Sequence, residues 1–190
     1  MPEPLTTEQR RTLLELARAS IAYGLEHGRP LPVRTDDYEP ALRPVRATFV
    51  TLDIAHQLRG CIGSLEAHIP LVEDVALHAF DAAFRDPRFP PVSREEAARL
   101  GVHISILSPN EPIEFSDEAD LLRQLRPGVD GLVIAQGRRR ATFLPSVWES
   151  LPDAVGFVAH LKQKAGIPPG PAQEPLRAWR YTAENIAEAL

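Results

Sequence analysis

Residues 58–63 read Leu58-Arg59-Gly60-Cys61-Ile62-Gly63, and Cys61 is the only cysteine in the chain. A thiol flanked by two glycines and an arginine is the most chemically loaded spot in the sequence. Gly60 and Gly63 remove side chains on both sides, so backbone or a ligand can approach closely. Arg59 places a permanent cation two residues from the sulfur, and a neighbouring cation favours the thiolate, the nucleophilic form. On this reading Cys61 is a nucleophile or covalent carrier whose pKa Arg59 lowers. Backbone N–H groups near Gly60 and Gly63 would then receive a developing oxyanion. The competing reading is structural. Leu58, Ile62 and Leu65 make the neighbourhood apolar, and a buried free cysteine usually behaves as a small hydrophobe.

A second grouping is Asp86-Pro87-Arg88-Phe89-Pro90-Pro91. Its prolines restrict the backbone and hold Asp86, Arg88 and Phe89 in defined directions. It reads either as a structural Asp–Arg loop closing a helix or as a pocket wall. In the second case the planar fork of Arg88 would receive the carboxylate or phosphate of a small anionic ligand. A third is Thr142-Phe143-Leu144-Pro145 with Lys164-Ala165-Gly166, where Lys164 sits in a last helical turn and complements the helix dipole. The six histidines show neither HxH nor HExxH spacing, and no Cys-rich zinc pattern, GxGxxG or P-loop is present. No metal or cofactor is therefore expected. His56 or His103 is the base that could meet Cys61 in space, as in a Cys–His dyad.

The elements that position these groups follow from periodicity. Thr6 with Gln9 forms a capping box for a helix over 6–27, and Gly28 stops it. Residues 29–44 carry four prolines and read as an extended loop. Strands over 47–52 and 58–63 form a hairpin. A helix over 70–84 turns Leu71, Val72, Val75, Ala76, Ala79 and Ala83 inward. Ser93 with Glu96 caps a short helix, and Val102, Ile104 and Ile106 alternate as a strand that turns His103 the other way. A helix over 117–125, a hairpin over 132–144, a helix over 153–165, a flexible loop over 168–175 and a last strand over 179–182 complete the chain. Hairpin-like connections predict an α+β fold, with an antiparallel-rich or mixed sheet flanked by helices.

The 190 residues fit one domain with a smaller subdomain. The expected main body is about 1–120 plus the C-terminal strand, and the smaller subdomain about 121–175. A net charge of −5 argues against a nucleic-acid binder. Neither a signal peptide nor an apolar run of membrane-spanning length is visible, so the expectation is a cytoplasmic protein with no membrane association.

In order, Phe49-Val50-Thr51-Leu52, the Leu58–Gly63 motif, the Asp86–Pro91 block, Ile104-Ser105-Ile106-Leu107-Ser108, Gly131-Leu132-Val133-Ile134, Thr142–Pro145 and Lys164–Gly166 resemble the AMMECR family. The resemblance runs from about residue 10 to the C-terminus. One departure is the hairpin turn, Asp53-Ile54-Ala55-His56, where family members often have glycine. The resemblance implies a smaller second subdomain beside the main one, with the cysteine motif bordering the cleft between them. It also implies company. Bacterial and archaeal members often accompany a Memo-like protein and a radical S-adenosylmethionine (SAM) protein, which points to a shared modification pathway. Two functions stay open: an enzyme or enzyme subunit using Cys61, or a non-catalytic module that docks those partners.

Overall fold

A computed structural model describes residues 3–170 and 173–188. The chain divides into two compact units. One runs to Leu107 and resumes at Glu184; the other is Ser108–Ala183. Each contains a four-stranded sheet with helices, so the fold is α+β.

In the first unit, helix α1 (Thr7–His27) begins at a Thr6–Gln9 capping box and ends at Gly28 in the left-handed conformation. Strands β1 (Thr48–Ile54) and β2 (Gln57–Gly63) form an antiparallel hairpin, and β3 (Gly101–Leu107) pairs antiparallel with the other edge of β1. Helices α2 (Leu71–Phe84) and α3 (Arg94–Ala97) lie between β2 and β3 in sequence, and the last strand, β8 (Ala183–Ala187), completes the order β2-β1-β3-β8. Val50, Leu52, Val102, Ile104 and Ile106 share one core with the apolar stripes of α1 and α2. Burying each such side chain contributes about 1.5–3 kcal/mol before entropy is counted. The opposite face of the sheet carries the residues that alternate with them. The hairpin turn places Ala55 and His56 at positive φ, 50° and 64°. A two-residue type I′ turn requires that at both positions and normally recruits Asn-Gly. This chain keeps the turn without glycine.

In the second unit, β4 (Glu111–Ile113), α4 (Glu118–Gln124), β5 (Gly131–Gln136), β6 (Arg139–Phe143), α5 (Ala154–Ala165) and β7 (Arg177–Tyr181) give an antiparallel sheet in the order β4-β7-β5-β6. Its core stacks Trp148 on Phe157, ring centroids 3.8 Å apart, beside Leu121, Leu132, Ile134 and Leu161. The Trp148 indole N–H donates to the Asp130 carbonyl at 2.7 Å. Lys164 Nζ donates to the Thr142 carbonyl at 2.9 Å, which ties the third sequence grouping together across α5 and β6.

The second unit is larger than the expected 121–175 segment. The final strand expected over 179–182 is β7, and it pairs with β4 and β5 rather than joining the first sheet. Ser108 N–H donates to the Thr182 carbonyl and Thr182 N–H to Ser108 Oγ, both at 2.8 Å, closing this unit where the chain enters and leaves it. Strands β4 and β8 escape the sequence reading because β4 is three residues long with Pro112 inside, and β8 alternates weakly. The loop expected over 168–175 includes residues 171 and 172, which lie outside the described residues. No described helix is long and apolar enough to cross a membrane.

The packing of α2 on β2 is tight enough to test. A Cβ on Gly60 would sit 2.1 Å from the Ala82 carbonyl oxygen. Gly60→Ala should therefore lose about 2–3 kcal/mol of stability as the helix is pushed off the strand, read as a lower urea midpoint with an unchanged slope.

Candidate functional site

Cys61 lies on β2, an edge strand, directly opposite Thr51 of β1; Thr51 in turn lies opposite His103 of β3. Because Val50 and Leu52 face the core, Thr51 and its cross-strand neighbours face the other way. Cys61 is half-buried on that face and is not part of the hydrophobic core. Thr51 Oγ1 donates to Cys61 Sγ at 3.2 Å.

The backbone of Cys61 is held from the outer edge of the strand. Its N–H donates to Asp86 Oδ2 at 2.9 Å, and its carbonyl accepts from Arg88 Nη2 at 3.3 Å. Asp86, whose side chain is 2% exposed, also accepts from the Arg88 backbone N–H at 3.0 Å. The Arg88 guanidinium reaches both of its oxygens, Nε to Oδ1 at 3.0 Å and Nη2 to Oδ2 at 2.7 Å. The Arg88 guanidinium, outweighing burial and joined by the two backbone N–H groups, holds the Asp86 carboxyl well below the usual carboxylate range. Arg88 is raised in turn, first by Asp86, with a smaller contribution from Cys61.

This geometry corrects several expectations. Arg59 does not face the thiol. It is the bulged residue between the Leu52–Gly60 and Asp53–Leu58 pairs. Its Nε and Nη2 donate to the two Glu96 oxygens at 2.9 and 3.1 Å, and Nη2 also donates to the Pro90 carbonyl. Glu96 is held down to about 2, first by Arg59. Arg59 Nη1 is a buried nitrogen with no hydrogen-bond partner among the described residues. The cation beside Cys61 is Arg88, a residue far away in sequence. The fork of Arg88, expected to receive a ligand, is turned onto Asp86, although its side chain remains 54% exposed. Phe89, expected in a ligand site, has the Arg59 and Arg88 guanidinium carbons 5.8 and 5.6 Å from its ring centroid.

The two glycines serve close packing. Gly60 admits α2 on the core side, and a Cβ on Gly63 would meet the Phe49 ring and the Thr48 carbonyl oxygen at 2.4 Å. The N–H of Cys61 itself is committed to Asp86. His103 is separated from Cys61 by the whole of β1, about 9–10 Å at ordinary strand spacing, so it forms no direct dyad. His56 occupies the hairpin turn, its side chain 82% exposed, 3.9 Å from Asp53. Among the described residues no three His, Cys, Asp or Glu side chains are grouped to hold a metal ion.

Sequence reasoning missed Thr51, Asp53 and Glu96. The strand period places Thr51 and Asp53 on one face, but only the register shows that Thr51 meets Cys61. It also missed a buried cluster on the core side. There Thr48 Oγ1 donates to Asp74 Oδ2 at 2.6 Å, and His78 Nδ1 lies 3.0 Å from the same oxygen.

Residues 14–186 match the AMMECR1 family model. The chain belongs to the AMMECR1 family. It is 38% identical to a protein of Methanothermobacter thermautotrophicus over 191 residues, covering 97% of each chain. It is 35% identical to protein MJ0810 of Methanocaldococcus jannaschii, covering 97% of this chain and 92% of that one. The crystal structure of the uncharacterised protein PH0010 from Pyrococcus horikoshii superposes with a TM-score of 0.83 at 34% identity, over 95% of this chain and 92% of that one. Within this AMMECR1 chain, the Leu58–Gly63 motif and the Asp86–Pro91 block meet at Cys61.

Both depressed carboxylates, Asp86 and Glu96, contribute stability that is fully present above the unfolded carboxyl pKa, about 4. It is lost as pH falls through their folded values. Urea midpoints should therefore drop as pH is lowered from about 5 toward 2. Asp86→Asn should lose at least about 2 kcal/mol at neutral pH and show a flatter acid limb. An acid limb identical to the parent's would show that Asp86 is not an acid-sensitive brace.

Proposed function

We propose that this AMMECR1-family protein is an enzyme, or the subunit of one, that uses Cys61 as a nucleophile or covalent carrier. It would act in a modification pathway with Memo-like and radical SAM proteins. One observation carries the reading: the thiol lies outside the hydrophobic core, on a polar sheet face, with a hydroxyl donor on its sulfur and its backbone braced on both sides. A cysteine retained for packing would point to the other face, among Val50, Leu52 and the α2 stripe. Thr51 orients the sulfur, Asp86 fixes the strand, and half-exposed Arg88 supplies the local positive charge for an anionic substrate group or a departing anion. Arg59 acts at one remove, by holding the Asp86–Pro91 loop through Glu96 and Pro90.

A second reading is favoured by the extent of the bracing itself. Four hydrogen bonds to one carboxylate, and two guanidinium groups near the Phe89 ring, would equally serve a rigid docking surface for those partners.

The alkylation rate of Cys61 in native and unfolded protein separates the two, together with the intact mass of protein co-expressed with the Memo-like and radical SAM components. The enzymatic reading expects native alkylation within about tenfold of the unfolded rate and an added mass that Cys61→Ser abolishes. A thiol that reacts only on global unfolding, with no adduct, would leave the docking reading. Cys61→Ala should cost less than about 1 kcal/mol in either case, because the side chain fills no core space.

A further inference from the structure

A cavity of about 510 Å³ opens within the first unit, at the end of the sheet that carries the β1–β2 turn. Its volume lies within the range of about 300–1,000 Å³ common for small-ligand sites. Ala55, Leu100, Val102 and Ala187 give it apolar walls, while Asp53, His56, Arg99, His103 and Glu188 bring charge and hydrogen-bonding capacity to it.

The two carboxylates are already committed. Glu188 is held by the Arg18 guanidinium through Nε and Nη2, and Arg18 also donates to the Leu100 carbonyl. Asp53, only 17% exposed, lies over Gly101, where a Cβ would sit 2.0 Å from its Oδ1. That oxygen is 3.2 Å from His103 Nε2, and its Oδ2 is 3.9 Å from His56 Nδ1. The cation, in contrast, is uncommitted: the Arg99 side chain forms no hydrogen bond or ion pair with any described residue. With the Nε2 side of His103 turned to Asp53, an Nε2–H donor leaves Nδ1 as an acceptor, and no described residue supplies it a donor. His56 is held at the rim by a turn that non-glycine residues adopt only at a cost of about 1 kcal/mol or more each.

We propose that this cavity binds a small organic anion that also carries a hydroxyl group. Arg99 receives the carboxylate or phosphate, and His103, oriented by Asp53, accepts the hydroxyl hydrogen. His56 closes the rim. The site is separate from Cys61, which does not line it.

Glycerol 3-phosphate, glycerate and inorganic phosphate can be titrated into the full chain, following imidazole ¹⁵N resonances and binding heats. At least one hydroxylated anion should shift the His56 and His103 signals and bind more tightly than inorganic phosphate. Comparison of the first two probes decides between phosphate and carboxylate. Arg99→Gln should weaken binding at least about tenfold, and His103→Gln should erase the preference over inorganic phosphate. Both side chains are on the surface, and thermal unfolding verifies that each variant is folded. Absence of any histidine shift, or undiminished affinity in Arg99→Gln, would overturn the proposal. Unchanged preference in His103→Gln would overturn the hydroxyl contact. Neither failure bears on the thiol, because Cys61→Ser should bind these probes as the parent does.

Discussion

The backbone of α2 lies directly against β2, and Gly60 makes that contact attainable. With any side chain at position 60 the Ala82 carbonyl could not come so close. Because the helix sits that low on the strand, its C-terminal end emerges at the outer edge of β2. The following residues turn back at once, with Val92 N–H donating to the Ala83 carbonyl at 2.9 Å and Phe89 N–H to the Asp86 carbonyl at 3.2 Å. Asp86 is thereby delivered to the one place where its carboxylate can accept the Cys61 N–H. The bracing of the cysteine is a consequence of helix–sheet packing.

An edge strand ordinarily presents unpaired N–H and C=O groups that invite another strand. At Cys61 both groups are taken by the Asp86–Arg88 pair, which blocks strand addition there while leaving the opposite sheet face available. The carboxylate that does this is buried and fully hydrogen-bonded, the condition under which an internal charge is tolerated. Arg59 and Glu96 form a second ion pair beside it, and Arg59 also donates to the Pro90 carbonyl. Two ion pairs and the ring of Phe89 thus make the Asp86–Pro91 loop a rigid continuation of the sheet edge. The polar face beyond it holds Cys61, Thr51 and His103 in one row. The Asp53 cavity lies further along the same sheet, so thiol and cavity are organised by a single strand, β1.

Local elements were legible in the sequence because their signals are local. The Thr6–Gln9 and Ser93–Glu96 capping boxes, the glycine stops at 28 and 166, and the alternation at Val102, Ile104 and Ile106 each depend on neighbours a few residues away. The prominence of Cys61 and of the Asp86–Pro91 block was legible for the same reason, as was membership of the AMMECR1 family. Strand β4 was not, since Pro112 and three residues carry no periodic signal, and neither was the sheet that β7 joins, because pairing partners leave no mark on a strand's own residues.

What the sequence alone determined was which residues are chemically able: one thiol, a set of arginines and carboxylates, histidines without metal spacing, and helices and strands of definite extent. Which of them meet was decided only by tertiary structure. Arg59 is the thiol's near neighbour in sequence, yet a β-bulge turns it to Glu96. Arg88, 27 positions from Cys61, arrives beside it because helix packing brings the loop there. His103 faces the correct side of its strand but stands one strand too far away. Strand alternation fixes a side chain's face over two residues; register and helix docking, which fix its partner, are set by contacts among segments that the linear order keeps apart.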